Sequence, residues 1–127
     1  MLSHVMVGAN DLSKSVRFYD ATLGVLGIAK VMENESRAFY RDTAAPSAPA
    51  FGVVKPANGE AACHANGGTI GFVAKDEAMV DAWHAAGLAN GGTDEGGPGV
   101  RPMINRHGAY LRDPDGNKLC ALHRLPA

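Results

Sequence analysis

One order of elements occurs twice in this 127-residue chain: a short strand, a capped helix, then glycine and further short strands. In the first pass Val5 and Val7 alternate with His4 and Met6, giving a strand with two usable faces. Asn10-Asp11 offers a helix cap, and Leu12, Val16, Tyr19 and Leu23 form one helical stripe, with Gly24 as the expected stop. β-prone stretches follow at 28–32, 37–41 and 51–55, the last two kept short, with looping between them, by Pro46, Pro49 and Pro56. In the second pass 69–73 reads as a strand. Asp76 caps a helix whose apolar side is Met79, Val80, Trp83 and Ala86, ending at Gly87. Gly91 to Gly99 reads as a long glycine-rich loop. Strands around 109–112 and 118–123 close the chain, joined by the tight turn Asp113-Pro114-Asp115-Gly116.

A slide of 65 residues lays Ala9 on Ala74, Asp11 on Asp76, Ala21 on Ala86, Leu23 on Leu88 and Gly27 on Gly92. It also lays His4 on Thr69 and Phe18 on Trp83. One helix on a few strands buries only one sheet face. Two such units side by side therefore predict an α+β fold with a shared concave side and helices on the other.

Composition narrows the function. At 46% hydrophobic and 20% charged residues the chain reads as one globular domain, 1–127. Twelve basic against 13 acidic residues give a charge of −1, which argues against a nucleic-acid partner. No apolar run is long enough to span a bilayer, so no membrane role is expected. Met1-Leu2-Ser3-His4 lacks a secretion-signal layout, and Cys63 and Cys120 form no Cys-x-x-Cys pair, so a cytoplasmic location is expected.

Three stretches carry a family resemblance. The first is His4-Val5, Asn10-Asp11-Leu12 and Ser15-Val16-Arg17-Phe18-Tyr19, with Leu23-Gly24. The second is Phe72-Val73-Ala74-Lys75-Asp76 with Trp83 and Gly91-Gly92. The third and most specific is Tyr110-Leu111-Arg112-Asp113-Pro114-Asp115-Gly116-Asn117-Lys118-Leu119. Across nearly its whole length the chain resembles the vicinal oxygen chelate superfamily, which includes glyoxalase I, extradiol dioxygenases and bleomycin-binding proteins. The resemblance implies two βαβββ modules, about 1–60 and 66–127, forming an open cupped mixed sheet with helices outside, and a homodimer.

It also implies a small-molecule pocket between the modules and, in many members, a divalent metal held by first and last strands. His4 occupies such a position. Thr69 and Cys120 stand where metal-binding relatives often carry histidine and usually carry glutamate, and 51–55 offers no carboxylate. His4 and Cys120 are thus the metal-ligand candidates, with zinc the most compatible ion, and His64 or Glu60 in the loop between the modules would add a ligand only if that loop folds into the cup. Substrate-binding candidates are Thr69, Arg106, His107 and Tyr110, with Arg101 beside them, suited to an anionic or phenolic molecule. Two functions follow: a metal-dependent lyase, isomerase or dioxygenase, or a metal-free sequestering protein of the bleomycin-resistance kind. No catalytic residue is assigned. Asp113, Asp115, Gly116 and Asn117 are explained by the tight turn alone, and Cys120 by packing.

Overall fold

Asp11 starts the first helix as expected: its carboxylate accepts from the Lys14 N–H, and α1 runs Leu12–Val25. Asp76 does the same for α2, Glu77–Ala89, accepting from the Met79 N–H at 2.8 Å. Neither helix stops at the glycine that reads as its terminator. Gly24 and Gly87 lie inside, and the ends are set by Gly27 (φ +78°) and Gly91 (φ +96°). There Ile28 N–H reaches back to Leu23 O and Gly92 N–H to Gly87 O, both at 2.9 Å, which closes each helix in the same way.

The structure is a computed structural model that describes residues 1–127. Its strands are β1 (His4–Gly8), β2 (Ala29–Glu33), β3 (Arg37–Arg41), β4 (Ala50–Val54), β5 (Ile70–Val73), β6 (Thr93–Arg101), β7 (Arg106–Arg112) and β8 (Lys118–Arg124). They form two four-stranded mixed sheets, ordered β1-β4-β3-β2 and β5-β8-β7-β6, each with one parallel pair at its edge. The backbone repeats the slide seen in the sequence: Ala9 N–H bonds Val54 O, and Ala74 N–H bonds Leu122 O, both at 2.9 Å. No ladder joins the sheets within one chain. The glycine-rich stretch corrects the reading of a loop. It is strand β6, which accommodates Gly96, Gly97 and Gly99 through two register shifts against β7.

Register places Val5, Val7, Ala38, Tyr40, Phe51 and Val53 on the helix side of the first sheet. Ala109, Leu111, Leu119 and Ala121 hold the helix side of the second. α1 and α2 pack together, so one core spans both modules, with Phe18, Tyr19, Leu23, Val80 and Trp83 at its centre. The expected stripe of Leu12, Val16, Tyr19 and Leu23 is fully buried.

A polar clasp ties the modules. Asp115, in the β7–β8 turn, accepts from the Asn10 N–H at 2.9 Å and the Ser15 hydroxyl at 3.0 Å, beside the start of α1. Asn117 donates to Gly8 O, and Asp113 accepts from the Tyr19 hydroxyl. The turn residues are structural, as their composition implies.

Candidate small-molecule site

The sheet faces turned away from the helices carry the candidate site. Alternation from the core residues puts His4, Met6, Gly52, Phe39, Arg37 and Arg41 on the open face of the first module. On the second module it selects Gly71 and Val73, then Arg106, Gly108, Tyr110 and Arg112, then Lys118, Cys120, Leu122 and Arg124. Spacing confirms this. A Cβ at Gly52 would meet Phe39 and Met6, one at Gly71 would meet Cys120 Sγ, and one at Gly108 would meet Leu122.

These faces concentrate positive charge. Seven of the twelve Lys and Arg residues stand there: Arg37 and Arg41 on β3, Arg101 on β6, Arg106 and Arg112 on β7, and Lys118 and Arg124 on β8. Of the 13 acidic residues only Glu95 joins them, and Arg112 Nε engages it at 2.5 Å. That guanidinium holds the Glu95 carboxyl below its ordinary range. A molecule with a net charge of −1 thus turns a cationic surface outward on one side of each sheet.

Tyr110 is the centre of the second module's face. The Arg101 guanidinium carbon lies 5.5 Å from its ring centroid and Lys118 Nζ 5.4 Å, both within cation–π range. Arg101 donates to Gly97 O at 2.8 Å and Gly99 O at 3.0 Å, so strand β6 fixes it over the ring. Neither Arg101 nor Lys118 pairs with a carboxylate. The sequence groups Arg101 with Tyr110 but leaves out Lys118, and with β6 read as a loop it does not place Arg101 over the ring. Alternation along β7 and β8 brings Tyr110, Lys118 and Cys120 to one face, and β6 adds Arg101 beside them.

The other candidates separate. His4 is exposed on the first module's open face, its Nδ1 2.8 Å from Ser3 Oγ. Arg106 is half-buried on the second, donating to Ile104 O and Asn105 O. His107 turns the other way: its Nε2 lies 2.9 Å from Asp81 Oδ1 on α2, which ties helix to sheet. Because β7 begins at Arg106 rather than near 109, His107 shares a face with Ala109 and Leu111. A parallel pair links His84 Nε2 to Asp94 Oδ1 at 2.8 Å, and this bond lowers the Asp94 carboxyl.

Thr69 borders an apolar cleft of about 480 Å³ between the modules, lined by Val5, Tyr40, Phe51, Ile70 and Phe72. Arg41 and Gly71 of the open faces also line it, and His4 does not.

Within one chain the candidate metal ligands do not come together. His4 and Cys120 stand on sheets that share no ladder, and nowhere do three His, Cys, Asp or Glu converge. Burial pushes the Cys120 thiol up, against a smaller opposing pull from Lys118. His64 packs beside Gly116 of the clasp, and Glu60 is exposed in the linker. With Cys63 exposed and Cys120 only 4% exposed, a thiol reagent at pH 8 is expected to modify one cysteine quickly in native protein and both after unfolding. Mass spectrometry reads this directly, and equal native rates at both sites would contradict the burial.

Two mixed βαβββ modules whose open faces carry the ligand-type residues define a glyoxalase-like α+β protein. The chain belongs to the Glyoxalase/Bleomycin resistance protein/Dioxygenase superfamily, which it matches over residues 1–121. A glyoxalase/bleomycin resistance protein from Albidiferax ferrireducens T118 is 55% identical, with a TM-score of 0.88 over 98% of this chain and 99% of that one. A glyoxalase-related enzyme from Fulvimarina pelagi is 21% identical (TM-score 0.79; 98% and 88% covered) and shares the fold. So does lactoylglutathione lyase from Agrobacterium tumefaciens (21%, TM-score 0.67; 97% and 92%). No curated protein sequence matches the chain.

Proposed function

We propose that this chain is a small-molecule-binding member of the superfamily that holds an anionic ligand on its open faces without a resident metal. The observation that carries this is charge segregation: seven cations and one engaged acid on those faces, in a chain of near-zero net charge. Such a surface attracts carboxylates and phosphates and repels divalent cations. A metal-dependent lyase or dioxygenase needs a fuller ligand set than His4 and Cys120, and a free carboxylate or imidazole base near substrate. Glu95, the one acid on those faces, is committed to Arg112, and the one imidazole there, His4, has its Nδ1 2.8 Å from Ser3 Oγ.

A second copy completes the site in this reading. β1 and β5 are sheet edges with unpaired backbone on one side, and Val73 on β5 is 86% exposed. The apolar cleft between the modules is lined on this side by Ile70, Gly71 and Phe72 of β5. Pairing these edges across two copies would bring the first module's face of one chain against the second module's face of its partner, a closed two-fold arrangement.

Calorimetric titration with benzoate, benzyl alcohol and benzylamine, in chelator, tests the proposal. Benzoate is expected to bind most tightly, to weaken about tenfold as salt rises from low to several hundred millimolar, and to be indifferent to the chelator. Equal affinity for all three, or binding abolished by chelation, would overturn it.

A further inference from the structure

Although the modules are repeats, their open faces differ in kind. On the first, a Cβ at Gly52 would lie 2.7 Å from Phe39 Cε1 and 3.1 Å from Met6 Cγ, so the ring and the Met6 side chain lie over bare backbone. Met32 pairs with Phe39 in register and extends this surface; Met6 and Met32 are exposed. The result is an apolar shelf. On the second module the ladder position matching Gly52 is Cys120, set by the paired bonds to Val54 O and Leu122 O, and its neighbour in register is Tyr110. There Arg101 is anchored by neutral carbonyls, so its position is fixed while its charge stays uncompensated. Lys118 adds a second cation at the same ring, with no carboxylate hydrogen-bonded to it, although Glu95 lies within its electrostatic reach.

We infer that the ligand is amphiphilic, an organic acid whose carboxylate sits between Arg101 and Lys118 at Tyr110 and whose apolar body lies on the Met6–Phe39–Met32 shelf of the second copy. This rests on the reading above that two copies bring the unlike faces together. An inorganic anion would satisfy only the cations, and a neutral hydrocarbon only the shelf.

Titration of the native protein with acetate, butanoate, hexanoate and hexanol tests this. Affinity is expected to rise about three- to fourfold for each methylene removed from water. Hexanol is expected to bind at least about tenfold more weakly than hexanoate, since it cannot engage the two cations. Arg101→Gln should weaken every acid about tenfold and leave hexanol unchanged. Phe39→Ser should flatten the chain-length dependence and spare acetate. Thermal unfolding of each variant checks that the fold survives, and Met6→Ser gives a second probe of the shelf if Phe39→Ser does not fold. Acids that bind better than hexanol but with no dependence on chain length would overturn the amphiphile while leaving the anion reading intact. If no acid binds better than hexanol, the anion reading itself is wrong.

Discussion

Asp113→Ala is expected to lower the unfolding free energy by about 3–5 kcal/mol, because its carboxylate is 3% exposed and every oxygen is used. Oδ2 accepts from the Tyr19 hydroxyl at 2.5 Å and Asn117 Nδ2 at 2.8 Å. Oδ1 accepts from the backbone N–H groups of Asp115 at 2.9 Å and Asn117 at 3.0 Å. Alanine would strand a buried phenol and loosen the turn whose Asp115 holds the start of α1. Burial first, and then the Asp113 charge, pushes the Tyr19 phenol well above its ordinary range, so Tyr19 remains a donor at any working pH. Asp113→Asn keeps the volume and one acceptor, and should cost roughly half as much. Urea unfolding followed by far-UV circular dichroism gives both values. A wild-type midpoint for Asp113→Ala would show that the clasp does not hold the modules together.

The second large effect has a sign that helix propensity alone predicts wrongly. Alanine is favoured over glycine inside a helix by about 1 kcal/mol. At Gly87 of α2, however, a Cβ would collide with Leu111 Cδ1 and lie 3.3 Å from Phe18 Cε2. Helix and sheet would have to separate, and Gly87→Ala is expected to destabilise by about 1–3 kcal/mol overall. Gly24 in α1 is the control: nothing lies within 4 Å of its Cβ position, so Gly24→Ala should stabilise by up to about 1 kcal/mol. Thermal melts of the two variants should move in opposite directions. Movement in the same direction would contradict the packing described for α2 against β7.

These glycines also show what could be read from sequence. The helix caps and the turn were legible because Asp11, Asp76 and Asp113-Pro114-Asp115-Gly116 act locally, through their own side chains and backbone angles. The stops at Gly24 and Gly87 were misplaced because a glycine can serve packing as well as termination. Only the left-handed backbone at Gly27 and Gly91 separates the two uses. β6 was hidden for a related reason. Glycine and proline have poor strand propensity, and β6 exists because β7 supplies its ladder. That omission carried through to the site. With β7 read from 109, His107 falls among the ligand contacts rather than tying to Asp81, and the seat of Arg101 over the Tyr110 ring depends on β6 pairing beside β7. His4 and Cys120 were correctly placed on strands, but strand positions cannot reveal that the two sheets remain separate within one chain.

A mixing experiment tests most directly whether the ligand site is shared between two copies. Phe39→Ser damages the first module's face and Arg101→Gln the second's, so each variant alone should lose tight hexanoate binding. When the two are unfolded and refolded together, random pairing makes half of the dimers mixed, and each mixed dimer holds one undamaged site. Wild-type affinity is then expected in about a quarter of all sites. Full loss in the mixture, with mixed dimers shown to be present, would place the whole site within a single chain and contradict the account.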